Sequence, residues 1–325
     1  MKRPISSICT KYLTALLFFS VPTLVQAEPA TAPSEASKTV ESSATPQAMP
    51  QAAPSISLPR ARVCTAKAGN NYHRFGVLLK EKLKGVIDIE VLETRGSWEN
   101  LEMIDANPRR CDAVIAQEDA YTLYRMNEKA SHLTMDRTAK VFAEYVHLMC
   151  HRGVKASNIL DLDPETHEIV INKYGSGAYI TWNLFQRLNP EFKKYKVLEK
   201  TVDEAMLRII DEGRPSCFFF VSAPGGETLK TANDVFGDQL RLVSVQDPQQ
   251  ERPVGLSKRQ IYWSAEIPAG RYSKLAAKGL KTHTVAAVFF TSPEWKARHA
   301  EASSKLSSAL LSLIRARKSG EGESP

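Results

Sequence analysis

Beyond its N-terminal leader, this chain has no apolar run approaching the ~20 residues that a membrane-spanning helix takes. The sequence therefore predicts a protein that is soluble once the leader is removed. Cysteine is scarce, at five in 325 residues, and no two stand at the spacing of a structural zinc site. No Gly-x-Ser-x-Gly elbow, catalytic triad or paired-acid constellation emerges, which argues against a hydrolase. No stripe of basic residues stands out either. From Ala61 onward 38 basic and 33 acidic residues are spread along the chain, so the electrostatic footprint of a nucleic-acid binder is missing.

What is present begins with a leader. Lys2, Arg3 and Lys11 precede the apolar stretch Tyr12 to Leu24, and Val25-Gln26-Ala27 offers a small-residue cleavage site, the pattern of a secretory signal over 1–27. An uncleaved anchor is the alternative. Residues 28–60 are rich in Ala, Pro, Ser, Thr and Gln and read as a disordered tether. Four cysteines follow the leader: Cys64, Cys111, Cys150 and Cys217. An even number in an exported protein suggests disulfides. Buried thiols are the plainer reading, and sequence alone leaves all three pairings open.

Apolar runs then alternate with helical spacing. Arg62 to Ala66, Ile87 to Leu92 and Asp112 to Ala116 read as strands, separated by helices over Tyr72 to Lys84 and Trp98 to Asn107. A longer strand covers Phe142 to Cys150. The order then repeats with strands at Glu168 to Ile171, Lys196 to Leu198 and Ser216 to Val221, and helices at Ala178 to Leu188 and Val202 to Glu212. A β-rich run spans Thr284 to Thr291, and one amphipathic helix is expected over Glu294 to Arg317. Strand–helix alternation of this kind predicts α/β architecture with mainly parallel sheets flanked by helices.

Two turns carry the chemistry. Tyr174-Gly175-Ser176-Gly177-Ala178 follows a strand and opens a helix, and Thr94-Arg95-Gly96-Ser97-Trp98-Glu99-Asn100 does the same. Such turns aim backbone N–H groups at one point, where the helix dipole favours an anion. Ser97 and Ser176 could equally be helix caps. Arg74 and Arg95 could each meet a carboxylate in bidentate fashion. Asp119 could pair with a ligand ammonium or cap the next helix. His147 and His151 fall on one side of a strand without a third ligand, so no metal is expected.

Taken in order, several segments resemble the TAXI-type solute-binding proteins of TRAP transporters, which have the two-lobed type II periplasmic-binding-protein fold. Gly69 to Gly76 is similar to G-G-V-Y-Y-P-V-G, Thr94 to Leu101 to T-x-G-S-x-E-N-L, and Asp112 to Asp119 to D-x-A-I-V-Q-x-D. Tyr174 to Ala178 is similar to the G-S-G-T turn, and Ile267 to Tyr272 to I-P-A-G-x-Y. The resemblance implies capture of a small organic anion, amino acid or dicarboxylate-like, in the periplasm and its delivery to a TRAP-type membrane permease. The ligand contacts it implies are Tyr72, Ser97, Asn100, Gln117, Ser176 and Gly177, with Asn71, His73, Arg74, Asp119 and Ala178 as further contacts. Asn70 and Asn71 stand where the family has Gly-Val, His73 where it has a second Tyr, Arg74 where it has Pro, and Ala178 where it has Thr.

Lobe one is then expected over 61–145 and 284–325, and lobe two over 146–283, joined by hinge strands. In this fold the first and third strands of a lobe are neighbours, and the strand arriving from the other lobe lies beside the third. That implies disulfides Cys64–Cys111 and Cys150–Cys217. No cofactor and no enzymatic step are expected, and the chain is expected to be a monomer. A sensing or protein-interaction module built on the same fold, without transport, is the alternative.

Overall fold

The structure, a computed structural model, describes residues 57–130, 132–211 and 216–318. The expected leader and nearly all of the expected tether lie outside the described residues. Short apolar runs make the strands: β1 (Arg60–Cys64), β2 (Asp88–Leu92), β3 (Ala113–Gln117), β4 (Asp136–His151), β5 (Glu168–Asn172), β6 (Lys196–Lys200), β7 (Ser216–Ser222), β8 (Leu240–Val243), β9 (Tyr262–Ile267) and β10 (Leu280–Thr291). The helices are α1 (Asn71–Lys82), α2 (Ser97–Asp105), α3 (Glu118–Arg125), α4 (Gly177–Leu188), α5 (Val202–Asp211), α6 (Glu227–Phe236), α7 (Pro293–Arg298) and α8 (Ala300–Lys318).

One sheet runs through the molecule in the order β2-β1-β3-β10-β4-β7-β5-β6, with β8 also on β4 and β9 also on β10. In lobe one, β2, β1 and β3 are parallel and β10 joins β3 antiparallel. In lobe two, β6, β5 and β7 are parallel and β4 joins β7 antiparallel. The long strands β4 and β10 pair with each other from Asp136–Thr291 to Tyr145–Thr284, and each continues into the other lobe. This reciprocal order, with the first and third strands adjacent and the incoming strand beside the third, is the two-lobed type II periplasmic-binding-protein fold. Strands such as β3 are buried along their whole length, as expected where helices cover both faces of a parallel sheet.

The same order sets the cysteines side by side. Cys64 and Cys111 form a disulfide with Cα atoms 5.9 Å apart, and Cys150 and Cys217 one at 4.2 Å. Cys150 and Cys217 are direct register partners on β4 and β7.

The helices obey their apolar spacing. Tyr72, Phe75 and Leu79 of α1 are buried together with Leu306 and Leu310 of α8. The single C-terminal helix expected over Glu294 to Arg317 is corrected to two. Ser292 caps α7 by accepting from the Trp295 N–H, and His299 leaves helical geometry at φ −130° and ψ 53°. Trp295 anchors α7: it is buried and donates its indole N–H to the Arg60 carbonyl at 2.7 Å. Helices α3 and α6 and strands β8 and β9 were not expected from the sequence.

Candidate ligand site between the two lobes

Of the helices that follow the carboxyl end of a strand, four carry the expected site residues: α1 after β1, α2 after β2, α3 after β3 and α4 after β5. This is where ligands sit in open parallel sheets. Two of these helix starts are closed by side chains. Asn70 Oδ1 accepts from the Tyr72 N–H at 3.1 Å, and Ser176 Oγ accepts from the Tyr179 N–H at 3.2 Å. The other two have no side-chain cap. The N-cap of α2 is Gly96, whose φ of 118° only glycine adopts readily, and the N-cap of α3 is Gln117. The first amides of α2 keep the partial positive charge of a helix start, whereas the Ala120 N–H in the first turn of α3 is taken by Asp119 Oδ1.

The two Gly-Ser bends face each other across the lobes. A Cβ on Gly175 would lie 3.5 Å from Trp98 Cβ, and a Cβ on Gly177 would lie 2.5 Å from Gln117 Oε1. Glycine at 177 is what lets α4 approach the end of β3. An aromatic rim surrounds this contact: Trp98 meets Tyr124 at 5.1 Å and Tyr174 at 6.2 Å between ring centroids, and Tyr174 meets Tyr179 at 5.1 Å. Ile180 of α4 packs in the same apolar cluster as Leu101, Ala116 and Ala120 of lobe one.

Behind the rim lie two buried carboxyl groups. Asp119, on the first turn of α3, is fully buried. Its Oδ2 accepts from Thr181 Oγ1 at 2.6 Å and from the Tyr262 hydroxyl at 2.9 Å, both in lobe two, while Oδ1 accepts from the Ala120 N–H at 2.8 Å. Glu144, midway along β4, accepts from the Tyr72 hydroxyl at 2.8 Å. Burial disfavours the charged form of each. It pushes the Asp119 carboxyl up to about 6 against the pull of its three donors, with Glu118 adding to the rise. It pushes Glu144 up to about 7, against the Tyr72 bond and Arg317 and with the help of Asp119. Tyr72 and Tyr262 are held well above the ordinary tyrosine value, first by burial and then by these carboxylates. Neighbouring Glu118 is neutralised by Arg137 at 2.7 Å.

The expected site residues divide into three groups. Tyr72, Ser97, Gln117, Asp119 and Gly177 meet in this region: besides the contacts above, Ser97 Oγ accepts from the Gln117 N–H at 3.0 Å. Gln117 Oε1 is buried and has no hydrogen-bond partner. Ser176 stands at the facing bend as the cap of α4, and Ala178 behind it is buried in the core of lobe two. The third group serves the fold or the surface. Asn100 donates to the Thr65 and Ile115 carbonyls at 2.6 and 2.8 Å and accepts from Thr94 at 2.6 Å, so its amide holds the turn together. Asn71 accepts from Arg74 at the exposed face of α1, and His73 is half-buried on that helix. Helical geometry explains this, since Tyr72 faces inward with Phe75 and Leu79 while its neighbours turn away.

Glu144, Thr181 and Tyr262 are the site residues that sequence reasoning missed. Glu144 alone carried a signal, as an acid within a run that reads as a buried strand. Among the described residues no group of three or more His, Cys, Asp or Glu side chains is placed to hold a metal ion. The arrangement offers uncapped amides for a negative group and carboxyl and carbonyl oxygens for a positive one.

No family model and no curated protein matches this chain. Solved structures do. Lactococcal OpuAC, in its closed-liganded conformation with glycine betaine, is similar over 82% of this chain and 92% of its own, at 11% identity and a TM-score of 0.48. The periplasmic aliphatic sulphonate binding protein SsuA from Escherichia coli is similar over 81% of this chain and 76% of its own, at 13% identity and a TM-score of 0.47. The ligand binding component of an ABC-type import system from Staphylococcus aureus, with zinc bound, is similar over 78% and 72%, at 9% and 0.46. At such identities and scores the likeness says nothing of this chain's own ligand or partner.

Proposed function

We propose that this chain is a periplasmic solute-binding receptor that captures a small organic anion between its lobes and hands it to a TRAP-type membrane permease. The work is binding and hinge closure of an exported monomer, without bond-making chemistry. Of the two ligand types implied by the resemblance, the site favours an amino acid over a dicarboxylate. The observation that carries this is the pairing of the uncapped α2 start with the buried oxygens of Asp119 and Gln117 in one interlobe region. A ligand carboxylate would take the amides of α2, and its ammonium would take Asp119 and the unpartnered Gln117 Oε1. A dicarboxylate would bring a second negative charge against Asp119 and Glu144, and like charges in a dry site repel strongly.

A thermal-shift panel on the full chain tests this. A ligand at a hundred times its dissociation constant adds ~2.7 kcal/mol to stability, so a binding amino acid should raise the melting temperature by several degrees. Melting shifts from dicarboxylates alone would contradict the amino-acid assignment.

One observation favours the second reading, a sensing or interaction module without cargo. Tyr72, Asn100 and Asp119 already hydrogen-bond to the protein's own groups, so closure does not need a ligand to satisfy them. A chain that shifts with no small molecule but retains a membrane-protein partner would belong to that class.

A further inference from the structure

The two lobes touch on either side of the candidate ligand site. On the buried side, Thr181 and Tyr262 of lobe two donate to Asp119 at 2.6 and 2.9 Å. Beside them Ile180 is fully buried in the apolar cluster that holds Leu101, Ala116 and Ala120 of lobe one. On the outer side, a Cβ on Gly175 would stand 3.5 Å from Trp98 Cβ, and the Trp98 and Tyr174 rings meet at 6.2 Å between centroids. We propose that the site admits only the smallest amino acids, with a side chain no larger than a methyl group, and that Trp98 and Tyr174 set this limit. The size limit rests on the receptor reading and narrows its substrate class.

The polar groups can take such a ligand without parting the lobes. An ionised carboxylate offers about four acceptor positions. At Asp119 three of them take the Ala120 N–H, Thr181 and Tyr262, which leaves one for an ammonium. Gln117 Oε1 is buried with no partner at all. A ligand ammonium therefore finds acceptors while both bonds from lobe two stay in place. A bulky ligand lacks that freedom. A hinged receptor makes room for bulk by closing less far. Here that would pull Thr181 and Tyr262 away from a buried carboxylate and lift Ile180 out of lobe one. A buried charge short of donors is costly, so the lobe spacing is set by the protein and the ligand must fit it.

The group that distinguishes one amino acid from another faces the rim. A carboxylate on the first amides of α2 lies beside Trp98, which stands in that turn, and the ammonium is drawn inward to Asp119. The side chain is left the outward direction. There Trp98 is backed by Tyr124 at 5.1 Å, whose hydroxyl donates to Asp105 at 3.1 Å. The Tyr174 N–H is held by Glu199 at 3.0 Å. One methylene too many in a packed apolar pocket weakens binding about 10–200-fold.

The experiment is titration calorimetry of the full chain at pH 7 with glycine, L-alanine, L-leucine and L-phenylalanine. Glycine and alanine should bind saturably, and leucine and phenylalanine at least tenfold more weakly than alanine. The Tyr174 side chain is largely exposed, the residue being 64% accessible, so Tyr174→Ala should fold and should bring the alanine-to-leucine affinity ratio toward one. Trp98→Ala should shift the same ratio in the same direction. A general loosening of the site would weaken all four ligands together and leave the ratio where it was, so an unchanged ratio in both variants overturns the assignment to the rim. Leucine or phenylalanine bound as tightly as alanine by the parent chain overturns the size limit and leaves the receptor reading standing. Binding of none of the four overturns the limit and the receptor reading together.

Discussion

Replacing Tyr72 by Phe deletes one hydroxyl and keeps the ring, whose centroid lies 5.7 Å from that of Phe142. The hydroxyl's partner is Glu144, at 2.8 Å in a buried setting. What the deletion costs depends on the charge of that carboxyl. A hydrogen bond to a neutral partner is worth about 0.5–1.5 kcal/mol, and one to a charged partner about 1.5–3 kcal/mol. Burial places the Glu144 titration at about 7, so Tyr72→Phe should cost about 1 kcal/mol at pH 5 and about 2–3 kcal/mol at pH 8.5. The parent protein carries a related dependence. A folded-state value raised from 4.5 to about 7 means that folded chains hold a proton that unfolded chains release. Stability therefore falls as pH rises through that window, by roughly 3 kcal/mol from this group, and levels off above it. Without the Tyr72 bond the anion is less favoured still, so the decline in the variant should extend to higher pH. Urea unfolding at the two pH values, with disulfides intact, measures both effects. An equal cost at both, or a larger one at pH 5, would show that Glu144 does not titrate as this environment requires.

Gly177→Ala should destabilise the protein by about 1–3 kcal/mol through overpacking, because the new methyl meets Gln117 Oε1 at 2.5 Å. Adding Gln117→Ala should recover most of that loss in a double-mutant cycle, and simple additivity would contradict the interlobe contact. Asn100→Ala should cost roughly 1–3 kcal/mol in chemical unfolding, since it removes the side-chain donor from the buried Ile115 carbonyl and leaves the Thr65 carbonyl with the Thr94 hydroxyl as its side-chain donor. Joint replacement Cys150→Ser and Cys217→Ser removes a cross-link between residues 67 apart and should lower stability by ~4 kcal/mol. Thermal melting with and without reductant checks it on the parent chain.

Much of the scaffold was legible because its signals are local. β3, β5 and β10 are buried along most of their length, and such strands appear in sequence as unbroken apolar runs. α1 and α4 bury residues at helical spacing. α3 was missed because it starts at once after β3 with Glu118-Asp119, which read as a turn, and buries that polar first turn instead of a stripe of Leu and Ile. The C-terminal segment reads as one helix because no glycine or proline marks His299, where the structure divides it into α7 and α8. The site shows the same divide. Both Gly-Ser bends could be found in sequence, since glycine and serine before a helix have a local meaning. The partners of Asp119 could not, because Thr181 and Tyr262 lie 62 and 143 residues further along and are ordinary helix and strand residues until the lobes meet. Asn71 and Arg74 came with the Gly69 to Gly76 motif that carries Tyr72, although a helix sends adjacent residues in different directions.

The most direct test is titration calorimetry of the full chain at pH 7 with two ligands that differ at one group, an α-amino acid and the 2-hydroxy acid of the same skeleton. The account predicts saturable binding of the amino acid, at least tenfold weaker binding of the hydroxy acid, and loss of that preference in Asp119→Asn. Equal affinity for the pair, or a preference that survives Asp119→Asn, would contradict a site built to read an ammonium beside a carboxylate.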